Sequence, residues 1–499
     1  MGPAVGDKIA AKAIGIASIV LAAVGVVSLA AWAYFIYSYV WPGGRQFDSA
    51  LSIVFFLCFP PGLAILAFAA LRLRPANRIA FAMVCSSLAV SIYALELFFS
   101  LAGPALGTDA ANTWIDGASE DKKNEVRRLA AEFGVRFDTR DLIEVLMDAQ
   151  AQGMDAVPAV YPSALLERQQ DGPLKSVIKI EGAEVLPLGG ISNKTTVLCN
   201  ENGDYTVYES DEHGFHNPKG IWGLDHLDVA IVGDSFAQGF CVPSDKNFMA
   251  LIRRRYPATL SLGMGGNGPI LELAAIKEYL PSLKPKVVLW AYFGKNDLIE
   301  LRNETKSPLL LQYLKPNFRQ GLMPLQAEID KALLAYVEKE KLKALRRAEE
   351  RKNQSAIILL KSLLDFAKLR TLRARLRLVS GQKKREEEPG TQADRSADMA
   401  LFRAVLLQAK INVEAWGGSL YFLYLPEWER YALPHRVKQN RKQVLAVAAG
   451  LKIPVIDIHE TFQSHPDVLS LFPFRRSGHY NVDGNRVVAE PILKRLSEQ

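Results

Sequence analysis

Four short motifs bring together the residue types needed for nucleophilic catalysis. They carry Ser235 in a Gly-Asp-Ser sequence, the glycines of 263–268, Asn296, and His479 in a Gly-His-Tyr-Asn sequence. A serine hydroxyl is a weak nucleophile until a base takes its proton, and histidine commonly serves as that base. Backbone N–H groups and an amide side chain could bind the oxyanion that forms when serine attacks a carbonyl. The residue types therefore indicate acyl transfer through a serine.

Each motif also has a simpler explanation when it is taken alone. A Gly-Asp-Ser tripeptide occurs by chance in turns, and Asn296 could cap a turn after a strand. His479 could stand at a helix entry with Asn481 as the cap. The occurrence of all four motifs in this order favours catalysis over capping.

The elements that must position these motifs alternate between strands and helices. Continuous apolar runs predict five strands, at 227–232, 259–262, 287–293, 420–425 and 453–458. Helices are predicted at 246–256, 269–282, 397–416, 436–449 and 482–497. Such alternation predicts a five-stranded parallel sheet covered on both faces, a three-layer α/β/α sandwich. Because the carboxyl ends of parallel strands share one edge, the motifs should converge there.

The order of the motifs resembles that of the SGNH hydrolases, also called the GDSL esterases and lipases. The name of that family reflects blocks built on Ser, Gly, Asn and His, and the resemblance covers about 227–300 and 418–497. It implies a flavodoxin-like α/β fold and a serine hydrolase or O-acyltransferase that uses no cofactor and no metal.

The resemblance also implies a role for each matching residue. Ser235 would be the nucleophile and His479 the base that takes its proton. The backbone amides of Ser235 and Gly266, with the Asn296 side chain, would form the oxyanion hole. Gly265 is the alternative to Gly266, because spacing alone does not choose between the two glycines.

One position departs from the family pattern. The family usually has an aspartate three residues before the histidine, and this chain has Arg476 there. An arginine cannot fix the histidine tautomer as a carboxylate does. Three explanations of Arg476 remain open: a Ser–His dyad without an acid, a substitute carboxylate at Asp457 or Asp483, or loss of activity. The first two explanations are favoured, and Asp457 is the candidate for a carboxylate that orients His479.

Three apolar runs among the first hundred residues predict a three-helix membrane anchor. They cover 13–44, 49–71 and about 79–102, and a bilayer crossing needs roughly 20 residues. Pro60-Pro61 lies inside the second run and should kink its helix.

The arginines between the second and third runs predict the orientation of the anchor. Arg72, Arg74 and Arg78 place this loop and the N-terminus in the cytoplasm under the positive-inside rule. Three crossings would make a multi-pass protein of the inner cell membrane with its catalytic domain in the periplasm. An even number of crossings is the alternative, if the third run is only interfacial.

Four cysteines are few for a chain of 499 residues. Cys58 and Cys85 lie inside apolar runs, as structural thiols do. Cys199 and Cys241 flank the serine motif, and an extracytoplasmic location predicts a disulfide between them. Two unrelated buried thiols are the alternative.

A charged stretch at about 305–395 interrupts the strand–helix alternation. It predicts two helices, at about 325–352 and 355–379, and the second is basic and amphipathic. Such a helix could bind an anionic membrane, a polyanion or other membrane proteins, or pack on the domain with its basic face in solvent. The predicted organisation is a membrane anchor at 1–103, an extracytoplasmic segment at 104–225 and a hydrolase domain at 226–499.

The sequence predicts a membrane-anchored serine esterase acting through an acyl-enzyme on an acylated cell-envelope glycan or lipid. An O-acyltransferase with the same acyl-enzyme, and an inactive glycan-binding or membrane-complex assembly subunit, are the alternatives. The net charge of +7 is concentrated in one stretch, which argues against a nucleic-acid partner.

Overall fold

The computed structural model describes most of the chain in two compact units. The described residues are 3–37, 53–101, 120–168, 172–353, 392–434 and 440–498, with 364, 366, 369 and 372. One unit comprises Met1–Gly107 and Ala348–Pro389, and the other comprises Thr108–Arg347 and Gly390–Gln499. The predicted extracytoplasmic segment therefore shares a unit with most of the predicted hydrolase domain.

The first unit is built on apolar helices. They are α1 (Pro3–Phe35), a π-helical turn (Val54–Cys58) that runs into α2 (Phe59–Ala70), and α3 (Pro75–Leu101). In the described part of the chain, two helices are long and apolar enough to cross a membrane, Lys8–Phe35 and Pro75–Phe98.

Within the described residues, two of the three predicted membrane helices therefore have the length of a bilayer crossing, and the second run does not. That run gives the shorter apolar helix Val54–Ala70. The π-helical turn lies immediately before Pro60-Pro61, which cannot donate backbone hydrogen bonds to the preceding turn. The first part of the run, 49–52, lies outside the described residues.

Small residues let the apolar helices approach closely. A Cβ at Gly25 of α1 would lie 2.6 Å from the Phe68 ring of α2, so a larger residue there would have to displace that ring. A small buried cluster joins the three helices through Ala17, Leu21, Ala70 and Ala82. Close packing at small residues is typical of helices that associate within a membrane.

The second unit begins with two helices and seven short strands. The helices are α4 (Glu120–Glu132) and α5 (Leu142–Ala151). The strands are β1 (Ala156–Pro158), β2 (Leu166–Arg168), β3 (Leu174–Ser176), β4 (Lys179–Ile180), β5 (Ala183–Glu184), β6 (Thr195–Cys199) and β7 (Thr206–Glu209). Strands β6 and β7 form an antiparallel hairpin, and β1 pairs in parallel with β6.

The main sheet of the second unit has the five predicted parallel strands. They are β8 (Val229–Gly233), β9 (Thr259–Ser261), β10 (Val287–Phe293), β11 (Ser419–Leu425) and β12 (Val455–Asp457). Their order is β12-β11-β10-β8-β9, and each neighbouring pair is parallel. The carboxyl ends of β8 and β10 are therefore adjacent, with Gly233 opposite Ala291.

Helices separate these strands along the chain. They are α6 (Ser235–Gln238), α7 (Phe248–Arg253), α8 (Pro269–Leu283), α9 (Asp297–Glu304), α10 (Pro308–Gln312), α11 (Gln326–Asn353), α12 (Gln392–Ala415), α13 (Glu429–Ala432), α14 (Arg441–Gly450), α15 (Ile458–Gln463) and α16 (Val482–Ser497). Helix α11 matches the first predicted helix of the charged stretch. The predicted basic helix at 355–379 falls almost entirely outside the described residues.

Side chains of β8 alternate between two buried apolar clusters. Ala230 and Val232 join one cluster, to which α8 and α12 contribute. Val229 and Ile231 join the other, to which α7 and α16 contribute. Successive residues of a strand point to opposite faces, so both faces of the sheet are buried under apolar side chains. Burial on both faces explains why these strands are continuously apolar in sequence.

Candidate active site

Ser235 stands at the point where the sheet meets a short helix. Strand β8 ends at Gly233, and Ser235 is the first residue of α6. Asp234 caps that helix, because its Oδ1 accepts a hydrogen bond of 2.9 Å from the Phe236 backbone N–H. A Cβ at Gly263 would lie 2.4 Å from the backbone of α6, so glycine after β9 permits this close approach.

A chain of hydrogen bonds runs from Ser235 through His479 to Glu201. Ser235 Oγ lies 2.7 Å from His479 Nε2. On the other side of the ring, His479 Nδ1 lies 3.0 Å from Glu201 Oε1. Glu201 Oε2 also accepts a hydrogen bond of 2.8 Å from the His479 backbone N–H. The arrangement is that of a nucleophile, a base and an orienting carboxylate.

The charge of Glu201 controls the affinity of His479 for protons. Burial alone would lower the pKa of His479, because it disfavours the charged ring. The negative charge and hydrogen bond of Glu201, with a contribution from Asp234, outweigh burial and the effect of Lys295. The pKa of His479 is therefore raised, as suits a base that must hold a proton during acyl transfer.

Sequence reasoning missed Glu201. It lies in the turn between β6 and β7, 278 residues before His479 and outside the α/β motifs that carry the family resemblance. The residue is only 2% exposed, so its carboxylate is buried against the histidine. One signal pointed toward it, since Glu201 follows Cys199 by two residues and that cysteine was predicted to pair beside the serine motif.

Asp457, the orienting acid predicted from the sequence, pairs with other residues than His479 and is therefore not the orienting acid. Its side chain forms an ion pair with Arg441 and caps α15 by accepting the His459 N–H at 3.1 Å. Asp483 pairs with Arg486 at 2.9 Å. The carboxylate of Glu201 occupies the place that a carboxylate three residues before His479 would otherwise fill.

The structure distinguishes the two glycines considered for the oxyanion hole. The Gly265 N–H donates to Gln238 Oε1 at 2.8 Å and is therefore already engaged. The Gly266 N–H has no acceptor within the described residues, and Gly266 lines the same cavity as Ser235 and His479. Its φ of +73° also favours glycine at this position. Gly266 is the better oxyanion donor of the two.

Asn296 completes the polar wall of the cavity. It precedes α9, and its Nδ2 donates to Asp234 Oδ2 at 3.3 Å. A carboxamide carries two N–H hydrogens, so one remains for a substrate oxygen. The hydrogen bond to Asp234 orients the amide before any substrate arrives, which is the preorganisation that an oxyanion hole requires.

Replacing Asn296 with alanine should lower kcat for ester hydrolysis by about 10²–10³-fold, the usual cost of one oxyanion donor. KM should change little, because the lost interaction forms only in the transition state. Asn303→Ala, near the other end of α9, is the matched control. Equal kcat values for the two variants in steady-state assays would contradict the assignment of Asn296 to the oxyanion hole.

These groups share one cavity of about 530 Å³. Its lining includes Ser235, Gly266, Asn296, Glu201 and His479. Aromatic and apolar side chains make up much of the remaining wall, among them Leu142, Tyr161, Phe240, Phe293 and Trp428. A cavity of this size and mixed lining fits a small-molecule or chain-end substrate.

A cystine forms part of the same wall. Cys199, at the end of β6, is bonded to Cys241, and their Cα atoms are 5.1 Å apart. Both residues line the cavity. The structure thus joins the two cysteines that flank the serine motif in sequence.

Helix α8 carries a buried carboxyl that is not part of the hydrogen-bond chain from Ser235 to Glu201. Glu272 is fully buried, and neither of its oxygens has a hydrogen-bond partner among the described residues. Burial raises the pKa of Glu272 well above its ordinary value of 4.5, and the charges of Asp297, Asp234 and Glu304 raise it further. The folded protein therefore holds a proton on Glu272 more tightly than the unfolded chain does.

This carboxyl should cost stability as pH rises above 4.5, because only the unfolded chain then loses the proton readily. Glu272→Met, which keeps the volume and removes the polar atoms, should stabilise the protein by about 1–3 kcal/mol. The gain in Tm in detergent should be larger at mildly alkaline than at acidic pH. A variant less stable than wild type at both alkaline and acidic pH would show that the Glu272 carboxyl makes stabilising polar contacts.

Comparison with known proteins finds esterases and acylhydrolases among the solved structures similar to part of this chain. Neither a protein-family model nor a curated protein matches the chain. A two-domain esterase active on acetylated mannans is 10% identical, with a TM-score of 0.27, over 56% of this chain and 50% of its own. A lipase/acylhydrolase from Enterococcus faecalis is 13% identical, with a TM-score of 0.29, over 54% and 95%. An acetyl xylan esterase is 12% identical, with a TM-score of 0.28, over 54% and 98%.

Proposed function

We propose that the protein is a membrane-anchored serine esterase of the SGNH type, with Ser235, His479 and Glu201 as its catalytic triad. The single observation that carries the proposal is the continuous hydrogen-bond chain from Ser235 Oγ through His479 to Glu201 at the wall of a cavity. The buried parallel sheet beneath it supports a three-layer α/β/α arrangement for the domain.

The first half-reaction would form an acyl-enzyme. Ser235 Oγ attacks the ester carbonyl carbon while His479 Nε2 takes the hydroxyl proton. The resulting oxyanion accepts hydrogen bonds from the amides of Ser235 and Gly266 and from Asn296. The tetrahedral intermediate then expels the alkoxide, and His479 returns the proton to that leaving oxygen. Glu201 stabilises the imidazolium without taking its proton.

The second half-reaction would release the acyl group. A water molecule attacks the acyl-Ser235 carbonyl as His479 accepts one of its protons. The intermediate then expels Ser235 Oγ, which takes that proton back from His479, and a carboxylic acid is released. A sugar hydroxyl could replace water, which would make the protein an O-acyltransferase. Product analysis with a glycan acceptor present separates the two, because hydrolysis yields free acid and transfer yields an acylated acceptor.

The location proposed for this chemistry is the outer side of a cell membrane. Two helices long and apolar enough to cross a bilayer, and the cystine Cys199–Cys241, support an anchored protein with its second unit in an oxidising compartment. We extend this to a multi-pass anchor in which the apolar run at 49–71 makes a third crossing, because three crossings from a cytoplasmic N-terminus place the second unit in the periplasm. An acylated cell-envelope glycan or lipid is the substrate class that this location favours.

Part of the charged stretch contacts the apolar helices. The Leu372 backbone N–H donates to Glu96 Oε2 at 2.6 Å, and the ring centroids of Phe366 and Tyr93 are 5.6 Å apart. Glu96 and Tyr93 belong to α3. These contacts support the membrane interpretation of the stretch over packing on the sheet. We also propose that the basic residues of this stretch bind other membrane proteins.

Labelling with a fluorophosphonate probe tests the proposed activity in detergent. Wild type should label at Ser235, because only an activated serine reacts readily. Ser235→Ala should not label, and His479→Ala should label far more slowly. A folded wild type that takes no label would overturn the hydrolase proposal in favour of the inactive binding or assembly subunit.

A further inference from the structure

The cystine Cys199–Cys241 joins the two chain segments that surround His479. Cys199 precedes Glu201 by two residues, and Glu201 contacts His479 at Nδ1 and at the backbone N–H. Cys241 follows Phe240, whose ring centroid lies 4.6 Å from that of the His479 imidazole. Both sides of the histidine are therefore held by residues next to a half-cystine.

A hydrogen bond reinforces the same connection. Asn202 Nδ2, one residue beyond Glu201, donates to the Cys241 backbone carbonyl at 2.8 Å. Glu201 thus lies between two points of attachment to Cys241, the disulfide before it and the Asn202 amide after it. These two attachments determine the position of Glu201 relative to the loop of Phe240 and Cys241, which follows Ser235 in the chain.

The backbone at Cys241 adds a requirement of its own. Its φ of +55° lies in the left-handed region, which a residue with a side chain adopts at a cost. Cys241 is also 1% exposed and packs with Leu198, Tyr208 and Phe240. A residue held in an unfavourable conformation needs its surroundings to keep it there, and the cystine is the covalent part of those surroundings.

The other contacts of the turn act mainly within its own neighbourhood. Asn200 Nδ2 donates to the carbonyls of Asp138 and Gly203, and Asn200 Oδ1 accepts the Gly203 N–H. These bonds shape the turn between β6 and β7 and tie it to the segment before α5. They do not connect it to the loop that carries Phe240 and Cys241.

We infer that the Cys199–Cys241 cystine is a positioning element of the active site, which holds Glu201 against His479 so that full catalytic rate requires the oxidised form. The inference rests on the serine hydrolase function proposed above. Its physical basis is the sensitivity of catalysis to geometry, since a misplacement of about 1 Å can cost about 10²-fold in rate. The cystine is not one of the reacting groups, so its effect on the rate must pass through the position of Glu201.

The first test replaces both half-cystines. Cys199→Ser/Cys241→Ser should lower kcat by about 10–100-fold with KM nearly unchanged. The acidic limb of the kcat/KM profile should also move to lower pH, because a displaced Glu201 no longer raises the pKa of His479. The charged groups that act on His479 are Glu201, Asp234 and Lys295, and of these Glu201 is the nearest in sequence to a half-cystine, two residues after Cys199. Wild-type kcat and an unmoved acidic limb would overturn the inference.

A double-mutant comparison separates positioning from general destabilisation. In a Glu201→Gln background the carboxylate is already absent, so removing the cystine should cost less than about twofold further in kcat, as expected for coupled sites. Fully additive losses would show that the cystine acts on the whole fold rather than through Glu201, and would refute the positioning role.

Reduction of the native protein covers the case in which the double variant does not fold. Tris(2-carboxyethyl)phosphine and water convert the disulfide into two thiols and the phosphine oxide. Wild type reduced until mass spectrometry finds both thiols free should show the same fall in kcat, and Cys58→Ser/Cys85→Ser should respond to the phosphine as wild type does. Undiminished kcat after complete reduction would overturn the inference.

The two proposals fail in distinguishable ways. Fluorophosphonate labelling of untreated wild type tests the hydrolase function without reference to the cystine. Absence of that labelling ends both proposals. Labelling that is present, together with unchanged rates after loss of the cystine, ends only the positioning role.

Discussion

Ser235→Ala should lower kcat for ester hydrolysis by about 10⁶-fold, the loss typical of removing a catalytic serine. The hydroxyl is placed to form the acyl bond, since its Oγ lies 2.7 Å from the His479 ring nitrogen that would take its proton. The oxyanion donors would remain and could still stabilise direct attack by water. A residual rate of about 10³-fold over the uncatalysed reaction is therefore expected.

Steady-state assays with an activated ester such as a nitrophenyl acetate measure this effect. Ser464→Ala serves as the control, because Ser464 is exposed and its hydroxyl donates to the Thr461 carbonyl within the same turn. Retention of more than about one-hundredth of wild-type kcat by a folded Ser235→Ala protein would mean that another group is the nucleophile.

Glu201→Gln should lower kcat by about 10⁴-fold, the loss typical of replacing a triad carboxylate by its amide. The side chain keeps its size, but the amide cannot stabilise an imidazolium. It can also present an N–H to Nδ1, which would place the ring proton on Nε2 and block acceptance of the Ser235 proton.

The pH dependence should change with a definite sign. His479 must be neutral to accept the serine proton, so kcat/KM rises as pH increases through the pKa of His479. Burial lowers that pKa and Glu201 raises it by more, which gives a net increase in the wild type. Without the carboxylate charge, the rise in kcat/KM should shift to lower pH.

Asp457→Asn is the informative comparison for this prediction. Asp457 lies closer to the histidine in sequence, but its side chain pairs with Arg441 rather than with His479. Its amide variant should keep wild-type kcat to within a few fold, with some loss of stability. A larger loss of kcat in Asp457→Asn than in Glu201→Gln would contradict the assignment of the acid.

Much of this protein follows from its sequence, because the relevant signals are local. A run of buried apolar residues specifies a strand covered on both faces, and 287–293 was predicted as a strand with the bounds observed for β10. The other four strands differ from prediction by one to three residues at their ends, where capping and turns compete with apolar pattern. The motifs that follow β8 and β10 lie together because parallel strands end on one edge.

Other features depend on contacts between distant segments, which no local pattern encodes. The place of the orienting acid is filled by Glu201, from a turn 278 residues before His479, and nothing in the spacing around His479 reveals it. The choice of Gly266 over Gly265 depends on Gln238 engaging one of two equivalent amides.

The division has a physical cause. Hydrophobic periodicity and turn chemistry act over a few residues, so the sequence by itself determined the parallel sheet, the nucleophile turn and the serine–histidine pair as candidates. A buried carboxylate is recruited by the free energy of pairing with a histidine, and any segment that packs within about 3 Å can supply it. Only the tertiary structure decided that β6 and its cystine bring Glu201 to that position.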